Sequence, residues 1–276
     1  MTSTARKRAA FRRLHETGCF VMPNAWDPGS ARYLGELGFA AIASSSAGLA
    51  FTLARPDNGV DRDAVLAHLE ALVSATQLPV NADFEGGYAV EPAGVAENVE
   101  LCVATGVAGL SIEDSTGDPA SPLFDFELAV ARIRAAREAI DRTGPDLVLT
   151  GRSEGFLVGR PDLDETIRRL RAYREAGADC LFAPGISTPA QIRAVVEAVA
   201  PAPVNLLASS IPAITRDEAE AVGVRRISVG GALARVGWGA VARSARELLD
   251  GRFAGLAEAM PHKTLNELFR DGRGSE

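Results

Sequence analysis

The chain has 276 residues, 47% of them hydrophobic and 24% charged, a balance that excludes disorder for the body of the protein. A net charge of −7 disfavours a nucleic-acid backbone as partner, and no apolar run is long enough to span a bilayer. The basic residues include only two lysines, Lys7 and Lys263, and the histidines are His15, His68 and His262. Imine chemistry is therefore close to excluded and histidine acid–base chemistry scarce, which leaves carboxylates, arginine, hydroxyls and backbone amides. All three histidines are expected at the surface or at a subunit contact. The basic start of the chain lacks the apolar core of a secretory signal, and Cys19, Cys102 and Cys180 are too scattered for a disulfide framework or zinc site. The expectation is a reduced, cytoplasmic protein.

In chain order, eight short apolar runs read as strands buried on both faces: 19–23, 40–44, 79–83, 109–113, 147–152, 179–183, 204–208 and 226–230. Helical spacing predicts helices between them, at 61–76 with Val65, Leu69, Leu72 and Val73, and at 126–142 with Leu128, Ile133 and Ile140. A third covers 163–176 before Gly177, and Thr188-Pro-Ala-Gln reads as an N-cap with proline at the first helical position. Eight alternations within about 230 residues predict a (β/α)8 TIM barrel, with an open doubly wound sheet as the alternative. No G-x-G-x-x-G follows the first strand, and no linker divides the chain. The barrel is expected over residues 1–250. Residues 251–276 form a helical tail of the same domain, with an amphipathic stretch at 253–260 and a short helix at 265–269. That tail is expected to pack on a neighbouring subunit.

Chemistry in such a barrel sits at the C-terminal ends of the strands. The successive exits carry Asn24-Ala-Trp26-Asp27, then Ser44-Ser45-Ser46-Ala47-Gly48 with Asp57 in the following loop. Next come Asp83-Phe-Glu85-Gly-Gly-Tyr88, Glu113-Asp114-Ser115 and Arg152-Ser-Glu154. Several carboxylates converging on one face suit a hard cation, Mg2+ or Mn2+. The D-x-E could equally be turn and N-cap residues. The serine run could be a solvated loop, or could present hydroxyls and N–H groups to an anion. Arg152 could clamp a substrate carboxylate or phosphate, or form an ion pair with Glu154 or Glu113. Gly230-Gly231 could cradle a phosphate or allow close backbone packing.

These segments together resemble the isocitrate lyase and phosphoenolpyruvate mutase superfamily over most of the chain. The carriers are 24–31 (Asn-Ala-Trp-Asp-Pro-Gly-Ser-Ala), the serine-rich second exit, Asp57, 79–88 (Pro-Val-Asn-Ala-Asp-Phe-Glu-Gly-Gly-Tyr), Ser111-Ile-Glu-Asp114 and Arg152-Ser-Glu-Gly-Phe156. The resemblance implies a TIM barrel that swaps a C-terminal helix between subunits, as a dimer or tetramer, and that stabilises an enolate or 2-oxo acid on Mg2+. It implies Asp83 as the direct metal ligand, with Asp57, Glu85 and Glu113 as water-mediated supports. Trp26, Ser45, Ser46, Ala47, Asp83 and Arg152 become the substrate-binding set. Arg152, Glu113, Tyr88 and Glu154 become the catalytic candidates, with Ser115 as a weaker proton donor.

Lyases of this family carry Lys-Lys-Cys-Gly-His on the loop after the fourth strand, whereas residues 114–124 here contain no cysteine, lysine or histidine. The mutase's gating lysine and asparagine are missing too, and Ala183-Pro184-Gly185 stands where it has a histidine. The enolate-holding half of the site is present without the customary acid–base half. The expected activity is a Mg2+-dependent lyase reaction on a small 2-oxo or 2-hydroxy di- or tricarboxylate, through C–C cleavage or decarboxylation. Oxaloacetate decarboxylation asks least of the missing residues. The alternatives are phosphonomutase chemistry, on phosphoenolpyruvate or carboxyphosphonoenolpyruvate, and a non-catalytic 2-oxo acid binding protein. The expected partner is a small 2-oxo carboxylate such as oxaloacetate or 2-oxoglutarate, with neither nucleic acid nor membrane.

Overall fold

A computed structural model describes residues 3–211 and 213–270. Nine parallel strands form one sheet: β1 (Phe20–Met22), β2 (Asn24–Ala25), β3 (Ile42–Ser44), β4 (Val80–Asp83), β5 (Gly109–Glu113), β6 (Val148–Arg152), β7 (Cys180–Phe182), β8 (Val204–Leu207) and β9 (Arg226–Ser228). β1 pairs with β9 and β2 with β3. These two are halves of one barrel strand, parted at Pro23, which has no N–H to give to a ladder. The sheet thus closes on itself as the expected (β/α)8 barrel, and each of the eight apolar runs contains its strand.

Helices α2 (Pro28–Glu36), α3 (Ser46–Thr52), α4 (Arg62–Ala75), α5 (Pro92–Ala104), α6 (Phe126–Thr143), α7 (Leu163–Glu175), α8 (Pro189–Val199), α9 (Arg216–Ala221) and α10 (Ala232–Leu249) follow in the connections, after α1 (Ser3–Leu14). The expected Thr188 cap is present, and two aspartates that were not anticipated cap other helices. Asp61 accepts from the Ala64 amide, Asp162 from Glu165, and Thr188 and Gln191 cap each other reciprocally. Gly177 has φ +105, and a Cβ there would fall 2.4 Å from the Arg137 side chain, so only glycine fits that turn. Helix faces such as Leu69, Leu72, Ile133 and Leu170 bury completely against the outside of the sheet. Each such side chain contributes about 1.5–3 kcal/mol.

Nothing in the sequence reading anticipated α1, which plugs the N-terminal mouth of the barrel. Phe11 is fully buried among Met22, Ala43, Ala108, Val148 and Cys180. Lys7 donates to the Thr76 carbonyl at 2.8 Å and Arg8 to Val103 at 2.8 Å, at the ends of α4 and α5 where helix dipoles favour cations. His15, expected at the surface, is half-buried between the rings of Phe11 and Phe20. In the tail, the amphipathic stretch forms a short 3-10 turn (Ala254–Glu258), followed by α11 (His262–Arg270). Arg32 of α2 donates to the Phe269 carbonyl at 3.4 Å. Residues 271–276 of the expected tail lie outside the described residues. Among the described residues, no helix is long and apolar enough to cross a membrane.

Candidate active site

A cavity of about 470 Å3 opens at the C-terminal ends of the strands, with Ser45, Ser46, Ala47, Asp57, Asp83 and Arg152 on its wall. β4 ends at Asp83, whose Oδ2 accepts from the Ser46 amide at 3.0 Å and from Ser46 Oγ at 2.8 Å. Its Oδ1 accepts from Arg152 Nη1 at 3.1 Å. Ser45 caps α3 by accepting from the Gly48 amide at 3.1 Å, so its hydroxyl is already engaged. Trp26 stands behind this turn: a Cβ on Gly48 would meet the Trp26 Cβ at 2.6 Å. Gly231 packs on the same turn, since its Cβ would lie 3.3 Å from that of Ala47. This favours the close-packing reading of Gly230-Gly231, although both glycines also line the cavity.

Arg152 is held from three sides. Besides Asp83, its Nη1 lies 3.2 Å from Glu113 and its Nε 2.5 Å from Glu154, while the Phe182 ring centroid is 5.4 Å from the guanidinium carbon. The ion-pair reading of Arg152 therefore holds, and its guanidinium also borders the cavity. Burial alone would lower its pKa, but Glu113, Glu154 and Asp83 hold it well above the ordinary value.

Glu85, Tyr88 and Glu113 line an adjoining cavity of about 320 Å3 with Asn58 and Ser115. Burial, then Asp83 and Asp57, push the Glu85 carboxyl up to about 7. Burial likewise raises Glu113 and Glu154, with Arg152 opposing both. Asp57, although exposed on its outer side, is raised by desolvation at the cavity mouth and by Asp83. Five carboxylates, Asp57, Asp83, Glu85, Glu113 and Glu154, therefore gather around one guanidinium, a surplus of acidic side chains over basic ones at the rim. Among the described residues, no three acidic, histidine or cysteine side chains converge closely enough to cage an ion. The donors are nonetheless all oxygen, with Asp83 and Asp57 on the main cavity and Glu85 and Glu113 on the adjoining one. That arrangement suits a hydrated Mg2+- or Mn2+-type ion taking one direct carboxylate and several waters.

Asp114 is not part of this cluster. It turns away to accept from Tyr173 Oη at 2.6 Å, Arg169 at 3.2 Å and the Glu154 amide at 2.7 Å. The loop after β5 folds back on itself through a Ser115–Leu123 bridge. Arg132, buried in α6, donates to the carbonyls of Gly86, Ala89 and Val90 and stacks 3.9 Å from the Phe124 ring centroid. It ties the Glu85–Tyr88 turn to that loop, and its place in mid-helix gave no sequence signal.

Sequence reasoning also missed the cavity floor. Asn81, Ser111, Asn205, Arg226 and Ser228 line its depth, and all five are buried. The available signal was a polar residue at alternate positions of strands that read as apolar.

A phosphoenolpyruvate phosphomutase family model matches residues 11–249. A crystal structure from Burkholderia cenocepacia J2315, of a protein named only to the level of lyase/mutase, superposes with a TM-score of 0.93 at 46% identity, covering 97% of this chain and 96% of that one. A phosphonopyruvate hydrolase in complex with oxalate and Mg++ superposes with a TM-score of 0.86 at 29% identity, covering 97% and 96%. An oxaloacetate decarboxylase of Pseudomonas aeruginosa is 34% identical over 202 residues, 69% of this chain and 67% of that one. The chain belongs to the isocitrate lyase/phosphoenolpyruvate mutase superfamily, a group of lyases and mutases.

Proposed function

We propose that this protein is a Mg2+- or Mn2+-dependent lyase acting on a small 2-oxo or 2-hydroxy di- or tricarboxylate, with oxaloacetate decarboxylation its simplest reaction. The observation that carries this reading is the surplus of carboxylates around Arg152 at the barrel rim. In this reading Asp83 is the direct metal ligand, supported through water by Asp57, Glu85 and Glu113. When bound, the ion supplies a Lewis acid for charge developing on the keto oxygen.

The remaining work falls to the chain itself. Arg152 exchanges an internal carboxylate for the substrate's, and its planar fork sets the carboxylate's orientation. The Ser46 and Ala47 turn receives the same end of the substrate, and Trp26 and Gly48 hold that turn in place. Loss of CO2 leaves an electron pair that must end as a C–H bond at carbon 3, so a proton donor is needed there. Burial and Glu85 push Tyr88 far above its ordinary value, so it enters the reaction protonated, the form a proton donor requires. Glu154, beside Arg152, is the second candidate. The family model favours phosphonate chemistry as the other reading, and a 31P spectrum with phosphonopyruvate distinguishes it.

The test is CO2 release from oxaloacetate and calorimetric binding of 2-oxo acids, each with and without Mg2+. Mg2+-dependent turnover is expected, falling by about 10^3-fold in Asp83→Asn. Neither turnover nor Mg2+-dependent binding of any 2-oxo acid would overturn the reading. We further propose a homo-oligomer, a dimer or tetramer, in which the C-terminal helix crosses to a neighbour.

A further inference from the structure

We propose that the barrel lumen contains a second anion-binding subsite, built on Arg226, that takes the distal carboxylate of the substrate; this rests on the rim being a 2-oxo acid site. Glu113, Arg152, Phe182, Asn205 and Arg226 are successive partners across β5, β6, β7, β8 and β9. Partnered residues on parallel strands share a face, so Arg226 points into the same lumen as Arg152. Barrel interiors are ordinarily filled by bulky branched side chains. Here Asn81, Ser111, Thr150, Asn205 and Arg226 occupy the inward positions below the rim, and the cavity reaches down to Arg226.

Arg226 is 2% exposed. Its Nε donates to Asn205 Oδ1 at 2.8 Å and its Nη2 to Thr150 Oγ1 at 3.0 Å. Nη1 lies 3.3 Å from His15 Nε2. His15 Nδ1 is 2.8 Å from the Phe11 carbonyl, so Nδ1 carries the proton and Nε2 is left as the acceptor. All three partners are neutral, and a guanidinium has five N–H donors, so two remain.

The other buried arginines are satisfied differently. Arg169 pairs with Asp114 and Glu165, and Arg132 with three carbonyls and the Phe124 face. Arg226 combines a buried charge, an absence of carboxylate partners among the described residues and a position on the cavity. A carboxylate descending from the rim would supply the missing counter-charge and accept the two free N–H groups. A monocarboxylate of equal length would leave Arg226 uncompensated, so the subsite selects dicarboxylates.

The experiment compares matched acids by titration calorimetry with Mg2+: 2-oxopentanedioate against 2-oxopentanoate, and oxalate, which is too short to leave the rim. The wild type is expected to bind the dicarboxylate about tenfold tighter or more. Arg226→Gln should erase that preference and leave oxalate affinity unchanged. Asn205→Asp should erase it too, by placing a counter-ion on Arg226 without removing any packing, so the proposal stays testable if Arg226→Gln fails to fold. Equal binding of the matched pair by the wild type, or a preference that survives in Asn205→Asp, overturns the subsite. Oxalate binding alone then still upholds the rim reading. Failure to bind even oxalate overturns both.

Discussion

Glu85 has φ 45 and Tyr88 φ 55, left-handed backbone that side chains with a Cβ adopt at a cost of about 1–3 kcal/mol each. Both sit in the turn after β4, beside Asp83, and Arg132 clamps that turn from beneath. Strain retained at a carboxylate rim is the pattern expected where geometry serves chemistry rather than stability. Glu85→Gly is therefore expected to stabilise the protein by about 1 kcal/mol, raising Tm by roughly 2–4 °C, while lowering Mg2+-dependent turnover. Thermal melts and an activity assay on the same preparation check this, and a lower Tm would contradict it. At this scale much of the rim was readable, because acidic and hydroxyl residues at strand exits stand out against apolar runs. Residue type by itself does not separate Glu113 from Asp114; the resemblance singled out Glu113, and the fold turns Asp114 away toward Tyr173 and Arg169, since neighbouring residues on a strand face opposite sides.

At the scale of elements, α1 shows what pattern reading overlooks. The helix precedes the repeat, carries five arginine or lysine residues in twelve, and buries one of its side chains completely, Phe11. It holds through cations on carbonyls and through His15, whose neutral form accepts from Arg226. Burial and the Arg226 charge push His15 down to about 3. The unfolded chain takes up this proton near pH 6.5 and the folded chain resists it, so between those values the unfolded state carries more protons. The His15 contribution is complete above about pH 6.5 and is lost as pH falls toward 3, by at most roughly 5 kcal/mol. Urea unfolding at pH 7 and pH 4.5 should show this loss, and a His15→Gln variant should show a smaller difference between the two. An unchanged difference would place the acid sensitivity elsewhere.

For the whole molecule, α10 is the anomaly. Of its eighteen residues only Ala234 is buried, while Val236, Trp238 and Val241 are each more than half exposed. Leu249 and Phe253 continue the exposed apolar surface toward the tail. Exposed large apolar side chains at this density on and after one helix are what a subunit contact would cover, in agreement with the proposed swap of the C-terminal helix. Sedimentation is expected to show a dimer or tetramer, with Trp238→Asp shifting the population toward monomer. A wild-type monomer at micromolar concentration would count against the proposed assembly.

From the sequence alone came the eightfold alternation, the superfamily and the acidic rim. Each rests on local information: hydrophobic runs, caps, and residue types at strand ends. Tertiary structure alone decided that Asp114 leaves the site, that Arg152 begins paired to its own carboxylates, that α1 closes the barrel from below and that Arg226 lies charged at its floor. Those outcomes depend on barrel closure, which brings residues as far apart in the chain as His15, Thr150 and Arg226 into one buried hydrogen-bonded set.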